Sequence, residues 1–178
     1  MDWYKQLLIA GVVGVTILAS AGQDPAAQAR AGESHCVVAV TDQKPDGELV
    51  LGSPTCFDRL ADAIEYASHP TAIDRADSLA SSQLLLGGTF TLGTHFDGYN
   101  GTGSSISVVG SSCTGGWWNT SLAWDNRISS SYNGCYRLRH YDYPNKAGDR
   151  YDTTGVGQTD NIYGGMNNRT ESVAYYGS

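Results

Sequence analysis

Positive charge is scarce in this chain, and so are the short motifs that mark common catalytic and zinc sites. Eleven Lys and Arg stand against eighteen Asp and Glu, the formal net charge is −7, and no stretch gathers the cations into a stripe. A nucleic-acid partner is therefore not expected. The chain has no GxSxG, HExxH or P-loop sequence and no CxxC or Cys/His cluster. We predict a protein that is not an enzyme and holds no zinc.

Only one long apolar run occurs, at the start of the chain. It extends from Leu7 to Leu18, Lys5 precedes it, and Ala19, Ser20 and Ala21 follow as small residues suited to cleavage. This is the layout of a secretory signal peptide. The run is shorter than the roughly 20 residues that a membrane-spanning helix needs. We therefore predict a signal peptide over residues 1–21, no membrane span in the mature chain, and a secreted, extracellular protein.

Four cysteines are present, at positions 36, 56, 113 and 135. Export permits disulfides, and four cysteines allow three sets of pairs. We favour Cys36–Cys56 and Cys113–Cys135, because each pair brackets one compact segment. Closing a loop of about twenty residues stabilises a fold by roughly 3 kcal/mol in the chain-entropy treatment.

Residues 22–67 are predicted to form a small, disulfide-linked module of a β-hairpin and a helix. The runs CVVAVT and ELVLG resemble strands, and Asp46-Gly47 between them is a turn signal. After Pro54, Thr55 is positioned to cap a helix. The apolar face of that helix is expected to carry Phe57, Leu60, Ala61 and Ile64. So short a module buries little core alone, so it should lean on the rest of the chain or on a partner.

Residues 68–87, rich in alanine and serine, are predicted to be a linker. From residue 88 onward the composition shifts to glycine, serine, tyrosine and asparagine, and short β-type runs alternate with turn clusters. This pattern indicates an all-β sandwich over residues 88–178.

The 88–178 segment also contains an internal repeat. HFDGYNGTGSS matches HYDYPNKAGDR at a constant offset, and WDNRISSS matches MNNRTESV further along. A unit that cannot bury its own apolar face can do so against its copy. The two copies should therefore form one domain with a pseudo-two-fold relation.

These paired signatures resemble the βγ-crystallin family. DNRISS (residues 125–130) follows the N/D-N/D-x-x-S/T-S pattern of its microbial members, and NNRTES (167–172) follows it except for Glu171. Gly103 and Gly148 stand where the family's hairpin needs an unusual backbone angle, while Gly101 and Lys146 replace a second aromatic. The resemblance implies a double Greek-key sandwich. It is closest to small secreted bacterial crystallin-type proteins, which include metalloproteinase inhibitors and killer-toxin-like proteins.

The resemblance further implies calcium sites shared crosswise between the repeats. One site would use the carbonyl of Arg127 and the side chain of Ser129, and the other the carbonyl of Arg169 and Glu171. The remaining loop residues, which would shape the loops or add ligands, are Asp125, Asn126, Asn167 and Asn168. Calcium takes six to eight oxygen ligands, which these side chains supply. The alternative is that they only hydrogen-bond their own backbone to hold the turns.

We therefore expect a secreted, non-enzymatic, calcium-binding protein that acts by binding a protein partner or a cell surface. A first alternative is an inhibitor of an extracellular protease, in particular a metalloprotease, that uses an exposed loop over residues 115–119 beside Cys113. A second alternative is a component or adaptor of an antimicrobial toxin.

Overall fold

The computed structural model describes residues 32–69, 88–120 and 123–177. The predicted signal peptide and nearly all of the predicted linker lie outside these residues. The described elements, in chain order, are β1 (His35–Gln43), β2 (Leu49–Leu51), β3 (Thr55–Phe57), α1 (Leu60–Ser68), β4 (Phe90–Phe96), β5 (Ser105–Gly110), β6 (Thr114–Asn119), β7 (Ser130–Asn133), β8 (Arg137–Tyr143), β9 (Ala147–Thr154), β10 (Thr159–Asn161) and β11 (Ser172–Tyr176). Short 3₁₀ turns at Tyr99–Gly101 and Gly164–Met166 complete them.

The strands form two sheets, so the all-β prediction is confirmed. The first sheet has the order β10-β7-β4-β5-β1-β2, with β3 also paired to β1, and the second has the order β6-β11-β8-β9. Each repeat supplies four strands. The first repeat places β4, β5 and β7 in the first sheet and β6 in the second, while the second repeat places β8, β9 and β11 in the second sheet and β10 in the first. The third strand of each repeat has therefore crossed into the sheet of the other.

The main core lies between the two sheets. Strand side chains alternate between the two faces of a sheet, and the inward positions of both repeats are apolar or aromatic. Buried members of this core include Leu92, Val108, Trp118, Trp124, Ile128, Leu138, Ile162, Val173 and Tyr175. Trp117 is also buried but belongs to a smaller cluster. The three tryptophans of this region thus act as packing residues.

The N-terminal segment continues the first sheet. β1 runs parallel to β5, from His35 beside Ser105 to Ala39 beside Val109. β1 and β2 form the predicted antiparallel hairpin. Val38 and Leu49 from this segment join the main core. As expected, this segment packs against the rest of the chain, because β1 pairs with β5 and its apolar side chains share the main core.

The predicted start of the helix is wrong. Thr55 lies in β3 rather than at a helix cap, because residues 55–57 pair with β1 and are held extended. The helix begins at Leu60, after Arg59 in an extended conformation that makes no side-chain cap. The long-range pairing overrides the local capping signal.

The buried face of α1 also differs from the prediction. Ala63 and Ala67 are buried against Val37 and Val109, whereas Ile64 is 53% exposed. The short alanine side chains allow the helix to lie close to the sheet, so the face was set by steric fit rather than by hydrophobicity.

Two disulfides are present, and they join the pairs favoured from the spacing. Cys36–Cys56 links β1 to β3, whose cysteines are directly opposite in the strand register. Cys113–Cys135 links the segment before β6 to the segment before β8. The first bond therefore reinforces a strand pairing, whereas the second joins segments that lead into two strands separated by β11 in the second sheet. Among the described residues, α1 is the one α-helix, and it is too short and too polar to cross a membrane.

The boundary at residue 88 remains a prediction, and it can be tested by truncation. A chain of residues 88–178 contains all strands from β4 to β11 and one disulfide, so we expect it to fold alone. It should melt at a lower temperature than the chain from residue 22, because Val38 and Leu49 leave the core. Near-ultraviolet circular dichroism and thermal melting measure both effects.

Leu49→Ala in the longer chain is the control for lost core contacts, and it should cost about 2 to 5 kcal/mol. A truncated chain without a near-ultraviolet signal would show that β1 belongs to the minimal folding unit and that the boundary is misplaced.

Candidate functional site

The two loops singled out by the repeat meet each other in space. They lie between the third and fourth strands of each repeat, over residues 123–129 and 165–171. The amide of Asn126 donates to the carbonyl of Thr170 (3.1 Å), and the amide of Asn168 donates to the carbonyl of Ile128 (3.1 Å). Both asparagines adopt positive φ, 58° and 56°, which asparagine tolerates better than most residues. The contact is reciprocal, as expected for two copies related by a pseudo-two-fold axis.

Four of the predicted ligand residues pair with one another across the repeats. Ser129 Oγ donates to Asn168 Oδ1 at 2.8 Å. Asn126 Nδ2 donates to Glu171 Oε1 at 3.0 Å. Each pair takes one side chain from each loop, so a change in one repeat is felt by the other.

Arg127 and Arg169 fix each loop to the hairpin of its own repeat, which is formed by β4 and β5 in the first repeat and by β8 and β9 in the second. Arg127 forms an ion pair with Asp97 at 2.7 Å, and Arg169 forms one with Asp142 at 2.5 Å. A second nitrogen of each guanidinium donates to a carbonyl of its own loop, at position 123 or 165. The family resemblance implied a role only for the carbonyls of these arginines. Their carboxylate partners were missed, although Asp97 and Asp142 occupy matching positions in the two repeats.

Gly103 and Gly148 explain how the carboxylates are held. Both glycines have φ of +79°, and a Cβ at either position would lie 2.0 Å from an oxygen of Asp97 or Asp142. Glycine is required there both by the backbone angle and by the close approach of the side chain. The unusual angle expected at these two positions is confirmed.

The last serine of each motif binds the hairpin of its own repeat. Ser130 Oγ donates to the carbonyl of Gly98 (2.6 Å) and accepts from the amide of Gly101 (3.0 Å). Ser172 makes the equivalent bonds with the carbonyl of Tyr143 (2.8 Å) and the amide of Lys146 (3.1 Å). These contacts support the structural alternative for part of the motif, since its final position is a fold-holding corner.

Asparagine pairs connect each hairpin to the exchanged strand of the other repeat. Asn161 on β10 pairs with Asn100, and Asn119 on β6 pairs with Asn145. In each pair the strand residue accepts a backbone amide and donates its own amide group, with distances between 2.6 and 3.1 Å. Sequence reasoning missed these pairs, and the signal was the repetition of Asn100 as Asn145.

The two motifs differ in the surroundings of their first residue, which is Asp125 in the first repeat and Asn167 in the second. In the first repeat the hydroxyl of Thr120 donates to Asp125 Oδ1. In the second repeat Ile162 takes the place of Thr120, since both residues directly follow the exchanged strand. Asn167 therefore lacks the donor that Asp125 has, and its Oδ1 is buried without a hydrogen-bond partner in the described part of the chain. A buried oxygen without a donor is available to a cation.

The donor set of the loops is compatible with a hard cation. Ser129, Asn168 and Glu171 offer hydroxyl, amide and carboxylate oxygens where the two repeats meet. In residues 32–69, 88–120 and 123–177, no group of three or more His, Cys, Asp or Glu is placed to hold a metal. Any ion at the loops would therefore rely mostly on neutral oxygens, which favours weak, millimolar-range binding as in extracellular calcium modules. Calcium binding remains a prediction.

The loop proposed for a protease inhibitor is not a loop. Residues 115–119 lie within β6, and Trp117 and Trp118 are only 4% and 3% exposed. The double tryptophan fills both faces of the second sheet, one ring toward the main core and one toward the outer surface. An exposed inhibitory segment does not occur at this position.

A scan against protein-family models, a search of curated proteins and a search of solved structures each found no match to this chain.

Two matching histidines form a buried polar pair within the core. His95 and His140 are both fully buried, with ring centroids 5.7 Å apart and nearly perpendicular planes. Trp118 Nε1 donates to the hydroxyl of Tyr175 (2.8 Å), which lies 2.9 Å from His95 Nε2. His95 Nδ1 lies 2.8 Å from Ser131 Oγ. We assign the imidazole proton of His95 to Nδ1, because the Tyr175 hydroxyl, which accepts from Trp118, can then donate to Nε2.

His140 is less well satisfied than its counterpart. In the strand register Ser131 faces His95, but Val173 faces His140. His140 Nδ1 is therefore buried without a hydrogen-bond partner in the described residues. Burial lowers the pKa of His140 to about 3, and burial together with the nearby His140 lowers the pKa of His95 well below its usual value. Both rings are neutral in the folded protein near pH 7.

This pair predicts an acid-sensitive core. The unfolded histidines take up protons below about pH 6.5 while the folded ones do not, so the unfolded state binds more protons and stability falls as the pH drops. Each histidine can cost about 1.4 kcal/mol for every pH unit below that value until its folded pKa is reached. Urea unfolding at about pH 7 and about pH 5, above the usual carboxylate range, measures the slope.

His140→Leu should flatten that slope, even if it lowers stability at both pH values. His69→Gln, at an exposed histidine that follows α1, is the matched control and should leave the slope unchanged. An equal slope in His140→Leu and the wild type would show that the buried histidine does not control acid stability.

Proposed function

We propose that this chain is a secreted, non-enzymatic binding protein built from two Greek-key repeats of the βγ-crystallin type, with calcium bound where the two loops meet. The exchange of β6 and β10 between the sheets and the matching hairpin corners support the fold assignment. The two disulfides are compatible with an extracellular location.

The observation that carries the calcium proposal is the crosswise contact between the loops. Side-chain oxygens of Ser129 and Asn168 lie 2.8 Å apart, and Glu171 reaches across to Asn126. A bound ion would replace these hydrogen bonds by coordination, and rotation of the Asn126 amide would turn its oxygen toward the site. The carbonyls of Arg127 and Arg169 would complete the set. Their side chains stay fixed to Asp97 and Asp142, which keeps the loop backbone in place.

The two sites should not be equal. Glu171 brings a carboxylate and Asn167 brings an unpartnered oxygen to the second motif. In the first motif Ser129 is neutral, and Asp125 already accepts from Thr120. Because calcium affinity rises with ligand charge, we propose that the site containing Glu171 binds more tightly. The ion would link two loops that belong to different repeats and thereby stabilise the pair.

Calcium should raise the melting temperature of the protein, and a chelator should reverse the effect. Binding to the native state alone adds about 2.7 kcal/mol at a hundredfold excess over Kd. Glu171→Gln keeps an acceptor for Asn126 but removes the charge, so it should abolish most of the increase. Ser129→Ala should remove a smaller part and cost about 1 kcal/mol without calcium through the lost hydrogen bond. Thermal melting with and without calcium checks each variant.

Glu65→Gln, which makes the same charge change on α1, is the matched control and should respond to calcium like the wild type. Magnesium at the same concentration tests ion selectivity. If millimolar calcium leaves the wild-type melting curve unchanged, the loops are hydrogen-bonded corners and the repeat records only a duplicated fold.

A further inference from the structure

The outer face of the second sheet differs in character from the rest of this acidic chain. Its side chains point away from the main core, because they alternate with the core residues Leu138, Val173 and Tyr175. We use the name outer face for the following outward positions of this sheet: Trp117, Arg137, Arg139, Tyr141, Arg150, Asp152, Ala174 and Tyr176, with Lys146 at the turn between β8 and β9. Aromatic rings and cations therefore share this face. Trp117, Tyr141 and Ala174 are themselves buried, so its accessible part is formed mainly by the cations, Asp152 and Tyr176.

Positive charge dominates this surface. The outer face carries four cationic side chains and one carboxylate, that of Asp152, although the chain as a whole has a net charge of −7. Arg139 holds Asp152 through two hydrogen bonds of 2.6 and 2.8 Å. Asp152 is thus largely committed to one partner, and the other cations retain capacity for an external anion.

The cations are held against aromatic rings rather than extended into solvent. The guanidinium carbon of Arg137 lies 4.6 Å from the ring centre of Tyr176, and that of Arg139 lies 5.7 Å from it. Lys146 Nζ lies 5.0 Å from the ring centre of Trp117. Cation–π contacts of this kind restrict the side chains. A ligand that meets this face therefore finds charges already in position, which lowers the entropy cost of binding.

A groove of about 480 Å³ opens beside the outer face at the start of β8. Tyr136, Arg137 and Tyr176 line it, together with residues 113–115 and 177. Tyr136 is 55% exposed, so much of its side chain is accessible to solvent. Arg137 Nε is buried without a hydrogen-bond partner in the described part of the chain, and its nearest carboxylate oxygen, on Asp152, is 3.9 Å away, but the side chain as a whole is 35% exposed. The groove combines an exposed aromatic ring with a partly exposed arginine side chain.

We propose that the outer face and this groove bind a polysaccharide that carries carboxylate groups. The planar guanidinium matches a carboxylate through paired hydrogen bonds, and the tyrosine ring offers a flat apolar surface for the C–H face of a sugar. A rigid sheet with spaced cations suits a polymer with spaced anions. This inference deepens the proposed binding role and rests on it, but it does not depend on calcium, because the outer face and the crosswise loops use different residues.

The test uses the mature protein in the presence of a chelator, with polygalacturonate as the probe and its fully methyl-esterified form as the neutral control. We expect binding by isothermal titration calorimetry to the acid form only, with affinity falling as salt rises. Arg137→Gln and Arg150→Gln should each weaken binding by at least about fivefold. Arg59→Gln, at the residue that precedes α1, makes the same charge change away from the face and should leave binding intact.

Several outcomes would overturn the proposal. Equal binding of the esterified polymer, equal or tighter binding of poly-glutamate or duplex DNA, or an equal loss in Arg59→Gln would each do so. Should Arg137→Gln prove unfolded by near-ultraviolet circular dichroism, Arg150→Gln alone decides. The chelator separates this inference from the calcium proposal. Calcium stabilisation without polymer binding refutes only the inference, and polymer binding without calcium stabilisation refutes only the calcium sites.

Discussion

The exchange of third strands between the two repeats is the constraint on which the rest of the molecule depends. Because β6 and β10 lie in the sheet of the opposite repeat, neither repeat can complete its sheet alone. The exchange also brings the two polar loops together. Each loop follows an exchanged strand and precedes the fourth strand of its own repeat, and each exchanged strand pairs with the fourth strand of the other repeat, β10 with β7 and β6 with β11. The same strand exchange therefore places both the core and the candidate site, and a change at the loops touches both repeats.

The two repeats are alike in their corners and unlike in their interiors. Arginine–aspartate clamps, asparagine pairs and hairpin glycines recur almost without change. The core positions have diverged, so that serine faces one buried histidine and valine faces the other. Corners depend on particular hydrogen bonds and backbone angles, whereas a core position needs only suitable volume and satisfied polar groups. This difference leaves room for the repeats to acquire separate roles while they keep a common frame.

Local patterns predicted the β-rich region, the repeat and the disulfide pairs, because corner residues have strict side-chain requirements that a single sequence displays. Local patterns did not predict the interactions between segments that are distant in the sequence. Thr55 looked like a helix cap, yet its pairing with β1 holds it in a strand. The two candidate loops do meet in space, but the partners of Asn126 and Arg127 come from other loops and hairpins. The cations of the outer face are separated in sequence by aromatic and acidic residues, and only strand pairing brings them onto one surface.

The parallel pairing of β1 with β5 has a consequence for the behaviour of the protein in concentrated solution. β5 is a six-residue strand, SISVVG, with every residue buried, and without β1 it would present an unpaired backbone edge that could recruit another chain. With β1 in place, the sheet order ends in β10 and β2, which have three residues each. Edges that short offer little template for intermolecular pairing. The N-terminal segment, secured by its disulfide, thus covers the longest otherwise unpaired edge of the first sheet, whereas the second sheet ends in the longer strands β6 and β9.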